Sequence, residues 1–145
     1  MSSASRRPRT PPLAAPYAVS FRADDLRHLR HAVADWAGRA GLPDQRAADF
    51  VIAVHEIATN AIRHGSPVAR LALQIAGTTA QAEIRDSGRW RLEPPAAAAP
   101  AGLGMGLYVA RRVCDQVTIH RGVTGSTVTL QMKLPDEPPA AAEVT

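Results

Sequence analysis

Residues 50–65 read FVIAVHEIATNAIRHG. Apolar residues recur there at helical spacing: Val51, Val54, Ala58 and Ile62, with Ile57 and Ala61 beside them. That period predicts a helix with much of its surface in a core. Glu56 and Asn60 stand one turn apart in the middle of it, and His64 follows one turn later. A buried carboxylate or carboxamide costs free energy unless something pairs with it. Asn is doubly unexpected, because its side chain competes for backbone hydrogen bonds inside a helix. One use for the pair is a cation site. An amide oxygen is a hard donor of the kind Mg²⁺ takes. A Glu one turn earlier can accept a proton from a hydroxyl or water held near that ion. The alternative use is a solvated polar face.

The helix needs a layer to pack on, and the flanking sequence provides one. Upstream, residues 1–16 are rich in Ser, Arg and Pro and read as a disordered tail. YAVSFRA from Tyr17 alternates as a first strand. A helix then starts at Asp24 or Asp25, carries Leu26, Leu29, Val33 and Trp36 as its apolar stripe, and stops at Gly41. Pro43 suits the first turn of the helix that contains the opening stretch, and Asp44 adds negative charge at its N-terminus. That helix is expected to run to about His64 and end at Gly65. Downstream, VARLALQIAG and AQAEIRD read as paired strands turning near Gly77 and Thr78. A Pro- and Ala-rich stretch follows, then a short helix in MGLYVARRVCD. QVTIHR and STVTLQMKL close the domain as a hairpin that turns between Gly122 and Gly125. Residues 135–145 read as a frayed end.

Strands joined mostly as hairpins predict an α/β fold: a two-layer sandwich whose mixed, mostly antiparallel sheet is covered on one face by helices. One domain over residues 17–134 fits a chain of 145 residues that is 46% hydrophobic. Only 4% of residues are aromatic, so the core has to come from Ala, Val, Leu and Ile. The net charge is +4, and every basic residue but Lys133 is Arg or His. The arginines are spread along the chain with no aromatic residues between them, which argues against a nucleic-acid surface. A single cysteine, Cys114, excludes an internal disulfide framework. No apolar run approaches the roughly 20 residues of a membrane span, and the N-terminus lacks the apolar region of a secretory signal. The expected location is the cytoplasm.

Two further stretches can carry chemistry. In EIRDSGRW, Asp86 ends an apolar strand ahead of Ser87 and Gly88. Such an Asp can form the turn itself, or accept a hydrogen bond from an exocyclic amine such as that of adenine. Gly88 would let a flat base approach. In GLGMGLYVARRV, Gly102, Gly104 and Gly106 alternate into a helix, and exposed N–H groups at a helix start favour phosphate. A hinge is the other reading. The stretch lacks the Gly-Lys-Ser/Thr ending of a Walker A loop. Its G-x-G-x-G spacing behind a Pro- and Ala-rich stretch is also not that of a dinucleotide fingerprint.

Together these stretches resemble the GHKL (histidine kinase-like) ATPase superfamily. HEIATNAIRHG is similar to its N box, DSGRW to its G1 box, GLGMGLYVARRV to its G2 box, and GSTVTL at residues 125–130 to its short closing motif. The chain looks most like the single-domain bacterial anti-sigma-factor serine/threonine kinases, whose ATP-binding fold is the Bergerat type. That resemblance implies ATP and Mg²⁺ as cofactors. It makes Asn60 the metal ligand and Glu56 the catalytic base. It places Arg63, His64, Asp86, Gly88, Gly102, Leu103, Gly104, Met105, Gly106, Leu107 and Thr127 around the nucleotide, with Thr127 next to Asp86. It makes residues 89–101 the lid over ATP. Its implied partners are a sigma factor and a small anti-sigma-factor antagonist, with a homodimer formed through residues 17–40. One departure is Trp90, where the G1 box commonly has a second Gly. A nucleotide-binding module that regulates a partner without transferring phosphate is the alternative function.

Overall fold

The structure, a computed structural model, describes residues 14–64, 66–87 and 103–136, with the side chains of residues 103–105 excepted. The expected lid at 89–101, together with Gly65, Gly88 and Gly102, lies outside the described residues.

Strand β1 (Tyr17–Phe21) leads through a short 3-10 turn (Ala23–Asp25) into helix α1 (Leu26–Ala40). The Asp25 carboxylate accepts the Arg22 N–H at 2.8 Å and closes that turn. Leu29, Val33, Trp36, Ala37 and Ala40 are the buried stripe of α1, as the period requires. The helix ends at Gly41, where the N–H groups of Gly41 and Leu42 return to the carbonyls of Gly38 and Ala37. Helix α2 (Asp44–His64) follows at once, then the strands β2 (Ala69–Ala76) and β3 (Thr79–Asp86). Helix α3 (Leu103–Val113) and the strands β4 (Gln116–Gly122) and β5 (Gly125–Lys133) complete the chain order.

The five strands form one sheet in the order β1-β2-β3-β5-β4. Each of the four neighbouring pairs is antiparallel, the limiting form of the mostly antiparallel sheet expected from the sequence. The reason lies in the last hairpin. The chain leaves β3, passes through α3 and enters β4 in the direction of β3. Then β5 turns back and fits between them. The parallel strands β3 and β4 are therefore never neighbours.

Alternation fixes what each face does. Phe21, Leu71, Leu73, Ala80, Ala82, Ile84, Val128, Leu130 and Met132 are buried on the face under the helices. The small Ala80 and Ala82 of β3 meet a helix that is itself rich in buried alanine, with Ala53, Ala58 and Ala61 on α2. Small side chains on both let a helix and a sheet come close. The scarce aromatic residues sit where two helices meet. Trp36 and Phe50 are fully buried and stacked, with ring centroids 6.1 Å apart. The Trp36 indole N–H donates to the Ala15 carbonyl at 2.9 Å. Ala14 is buried as well. The Ala15 carbonyl is thus tied to α1.

Helix α3 is tied down at its C-terminal end. Arg46 of α2 donates to the Val113 carbonyl at 3.1 Å and to the Asp115 carboxylate at 2.7 Å. The same Asp115 oxygen accepts the Lys133 N–H at 2.6 Å, and the Asp115 N–H donates to Gln131 at 2.9 Å. One guanidinium and one carboxylate therefore join α2, α3 and β5.

Candidate functional site

Three elements converge at the end of the sheet where β3 stops and β5 starts. The first is the C-terminal half of α2. Asn60 is buried there, at 4% exposure, and Glu56 one turn earlier is half-buried. Arg63 and His64, in the last turn, are exposed. The second is the end of β3, where Asp86 is buried at 4% exposure. The third is the start of β5, whose Ser126 is buried at 2% exposure. Asn60, Asp86 and Ser126 are the polar residues that the described structure buries fully. Two of them were singled out from the sequence; Ser126 was not.

Short contacts hold these elements together. After α2, the Ser66 N–H donates to the Ala61 carbonyl at 3.0 Å. The Ser66 hydroxyl donates to Val68 at 2.6 Å and accepts the Ser87 N–H at 3.4 Å. Ser66 thus connects the residue after Asn60 to the residue after Asp86. Gly125 presses on the same place from β5. Its φ is +151°, and a Cβ there would overlap the Asp86 carbonyl and lie 2.8 Å from the Ser87 Cα. Only glycine fits both that angle and that space.

Helix α3 reaches the site through Gly106. Gly106 is buried one turn into the helix, not at its entrance. A Cβ on it would overlap the Asn60 Nδ2 and stand 3.4 Å from the Asn60 Cγ and 3.5 Å from the Glu56 Cβ. Leu107 beside it is half-buried and packs on the core. Leu103, Gly104 and Met105 form the first turn.

Thr127 requires a correction. It pairs with Arg85 and with His120, whereas Ser126 pairs with Asp86. Successive side chains point to opposite faces, so Thr127 lies on the outer face of the sheet and Ser126 beside Asp86 on the inner one. The sequence did contain the signal. Ser126 is in phase with Val128, Leu130 and Met132, and all three are buried.

His55 precedes Glu56 and is half-buried. Its Nδ1 is buried with no hydrogen-bond partner among the described residues. Burial lowers its pKa below the usual histidine value, the Arg30 charge lowers it further, and Glu56 partly offsets both. The ring is therefore neutral at pH 7. Among the described residues no group of three or more His, Cys, Asp or Glu side chains is placed to hold a metal ion.

The buried polar residues Asn60, Asp86 and Ser126 are thus gathered at one end of a two-layer sandwich, with Gly106 against the first and Gly125 against the Asp86 backbone. The chain belongs to the histidine kinase-like ATPase domain family, whose model it matches over residues 19–132. ATP is the nucleotide this class of domain binds.

Solved structures share the fold. The RsbU and RsbW domains of Rv1364c from Mycobacterium tuberculosis match at 24% identity and a TM-score of 0.66, covering 85% of this chain and 33% of that one. The histidine kinase domain of the blue-light activated kinase of Erythrobacter litoralis EL346 matches at 20% identity and a TM-score of 0.51, over 77% of this chain and 60% of that one. The histidine kinase AdeS of Acinetobacter baumannii matches at 13% identity and a TM-score of 0.53, over 92% and 72% respectively. The chain spans about a third of the first of these proteins. No helix among the described residues is long and apolar enough to cross a membrane.

Proposed function

We propose that the protein is an ATP-dependent serine/threonine protein kinase that works in a partner switch, sequestering a sigma factor and phosphorylating a small antagonist of the anti-sigma-factor antagonist type. The observation that carries this reading is the pair on α2. Glu56 and Asn60 sit one turn apart at the sheet end that also holds Asp86. The likeness of the sequence boxes to anti-sigma-factor kinases supports the choice of acceptor and partner.

The residues fit Mg²⁺. A carboxamide and a nearby carboxylate are hard oxygen donors, and Mg²⁺ is commonly held by one or two protein oxygens together with phosphates and water, not by a full protein cage. Asn60 would hold the ion, which supplies neutralisation of the phosphate charge when bound. Asp86 accepts from the adenine amine, and the Ser126 hydroxyl lines the same pocket in place of Thr127. Gly104 and the first turn of α3 offer N–H groups to phosphate. Glu56 accepts the proton of the acceptor hydroxyl. The acceptor oxygen bonds to the γ-phosphorus as the bond to the bridging oxygen breaks, and ADP leaves. Most of the rate in such transfers comes from positioning and charge neutralisation, and a half-buried base beside the metal ligand meets that need. β1 is an edge strand of the sheet among the described residues, the side that a homodimer through residues 17–40 would use.

Calorimetry with ATP, with and without Mg²⁺, is the test. Wild type is expected to bind, Asp86→Asn to lose binding in both conditions, and Asn60→Ala to lose the gain that Mg²⁺ gives. Glu56→Ala is expected to bind ATP and fail to label an antagonist protein from γ-labelled ATP. No binding by wild type would sink the reading. Trp90, which stands where a second Gly is common in the G1 box, favours a second reading, a regulatory module that binds nucleotide without transfer. Tight Mg-ATP binding with no label transferred to any antagonist would support that one.

A further inference from the structure

Glycine is a poor residue for a helix interior, because it loses more backbone freedom than any other on folding. Gly106 nevertheless lies inside α3 and is buried. Its backbone is helical, since it is not among the glycines with positive φ, so no unusual backbone angle calls for glycine there. The neighbour does. A Cβ would overlap the Asn60 Nδ2, with the Asn60 Cγ at 3.4 Å and the Glu56 Cβ at 3.5 Å. These are the two side chains to which the proposed chemistry assigns the metal and the proton.

We infer that Gly106 is a positioning residue for the Asn60 carboxamide: the bare backbone of α3 seats the NH₂ end of the amide and so presents its Oδ1 to the cation. An amide has one end that can ligate a metal and one that cannot. A side chain of this kind rotates easily about its last bond. Contact with Gly106 takes up the end that cannot ligate.

The far end of α3 makes the contact specific. Arg46 holds the Val113 carbonyl at 3.1 Å and Asp115 at 2.7 Å, and Asp115 accepts the Lys133 N–H at 2.6 Å. With that end fixed, the helix cannot slide. A slip of one residue, about 1.5 Å along the axis and roughly 100° around it, would put Met105 or Leu107 where Gly106 now stands. Arg46 thus sets the register, and Gly106 uses it.

The inference rests on the cation role proposed for Asn60, and the experiment separates the two. ADP affinity is measured by calorimetry with and without Mg²⁺ for wild type, Gly106→Ala, Asn60→Ala and the double variant. Gly106→Ala is expected to cut the Mg²⁺-dependent gain in affinity by about tenfold, a larger loss than any it causes in metal-free ADP affinity. The double variant is expected to lose no more than Asn60→Ala alone, because Gly106 acts through Asn60. In the metal-free protein the Asn60 side-chain amide resonance should move in Gly106→Ala. If Gly106→Ala keeps the full gain, or if its loss adds to that of Asn60→Ala, the inference falls while the cation site stands. If wild type shows no gain, both fall. Should Gly106→Ala unfold, the double variant decides. Recovery of its melting temperature when Asn60 is also shortened locates the overlap at Asn60; no recovery overturns the inference.

Discussion

At the last paired row before β3 ends, the two faces of the sheet differ by one residue step and by everything else. On the inner face Asp86 stands beside Ser126, both buried under helices. On the outer face Arg85 stands beside Thr127, with Arg70 and His120 on the strands to either side. Arg85, Arg70 and His120 are exposed. Two rows before the β3 turn, the outer face carries Gln74, Gln81, Gln131 and Gln116 across four strands, and Gln131 donates to Gln81 at 3.0 Å. The inner face is apolar until its last row. Polarity on the outer face is what water asks of a sheet covered on one side. Polarity on the inner face has to be paid by a partner, and there it is confined to the end where the glycines close in.

The contrast can be broken most forcefully in the middle of the sheet. Leu130→Ala removes a fully buried side chain and is expected to cost about 2–5 kcal/mol. Thr129→Ala, one step along on the outer face, is expected to stay within about 0.5 kcal/mol. Urea denaturation of both variants measures the difference, and equal losses would mean the faces are not as unlike as their burial. At the polar row the expected effect is smaller and appears in binding. Ser126→Ala should weaken ATP roughly three- to tenfold through one lost hydrogen bond, while Thr127→Ala should change it by less than about twofold. Calorimetry that ranked the two in reverse would return Thr127 to the pocket. The smallest effect is an absence of reaction. Burial pushes the Cys114 thiol up to about 12, Asp115 and Asp49 add to this, and Arg46 opposes it. The thiolate is the reactive form, so native protein at pH 8 should resist iodoacetamide and react only after unfolding. Rapid alkylation of the native form would show that water reaches this layer.

The helices and hairpins were legible because their signals are local. The apolar period of α1 and α2, the stop at Gly41 and the turn at Gly77 each depend on residues a few positions apart. Asp86 and Asn60 stood out because a polar group broke an apolar pattern, and both proved buried. Reading Gly-Ser-Thr as a motif hid a simpler rule. Strand parity alone puts Ser126, not Thr127, beside Asp86. The start of α3 at Leu103 was read two residues late, because Gly104 looked like loop. Other features depend on distant partners. Trp36 reaches Ala15 across 21 positions, and Arg46 reaches Asp115 across 69. Ser66 follows the same logic: as a Ser before Pro it reads as turn chemistry, and only the fold brings Ser87 to its hydroxyl. The strictly antiparallel sheet belongs here too, since no local pattern says that β5 will slip between β3 and β4.

The pairing of Asp86 with Ser126 also sets a time order during protein synthesis. The two residues are 126 − 86 = 40 positions apart. Closing a loop of that length costs roughly 3 kcal/mol in chain entropy before any contact repays it. A ribosome that has just delivered β3 has made the carboxylate but not the strand that flanks it. The first two helices and the β2–β3 hairpin can form early from neighbouring residues, whereas the Asp86–Ser126 row waits for β5 (Gly125–Lys133). A growing chain therefore acquires its first helices and hairpin well before its buried polar row is complete.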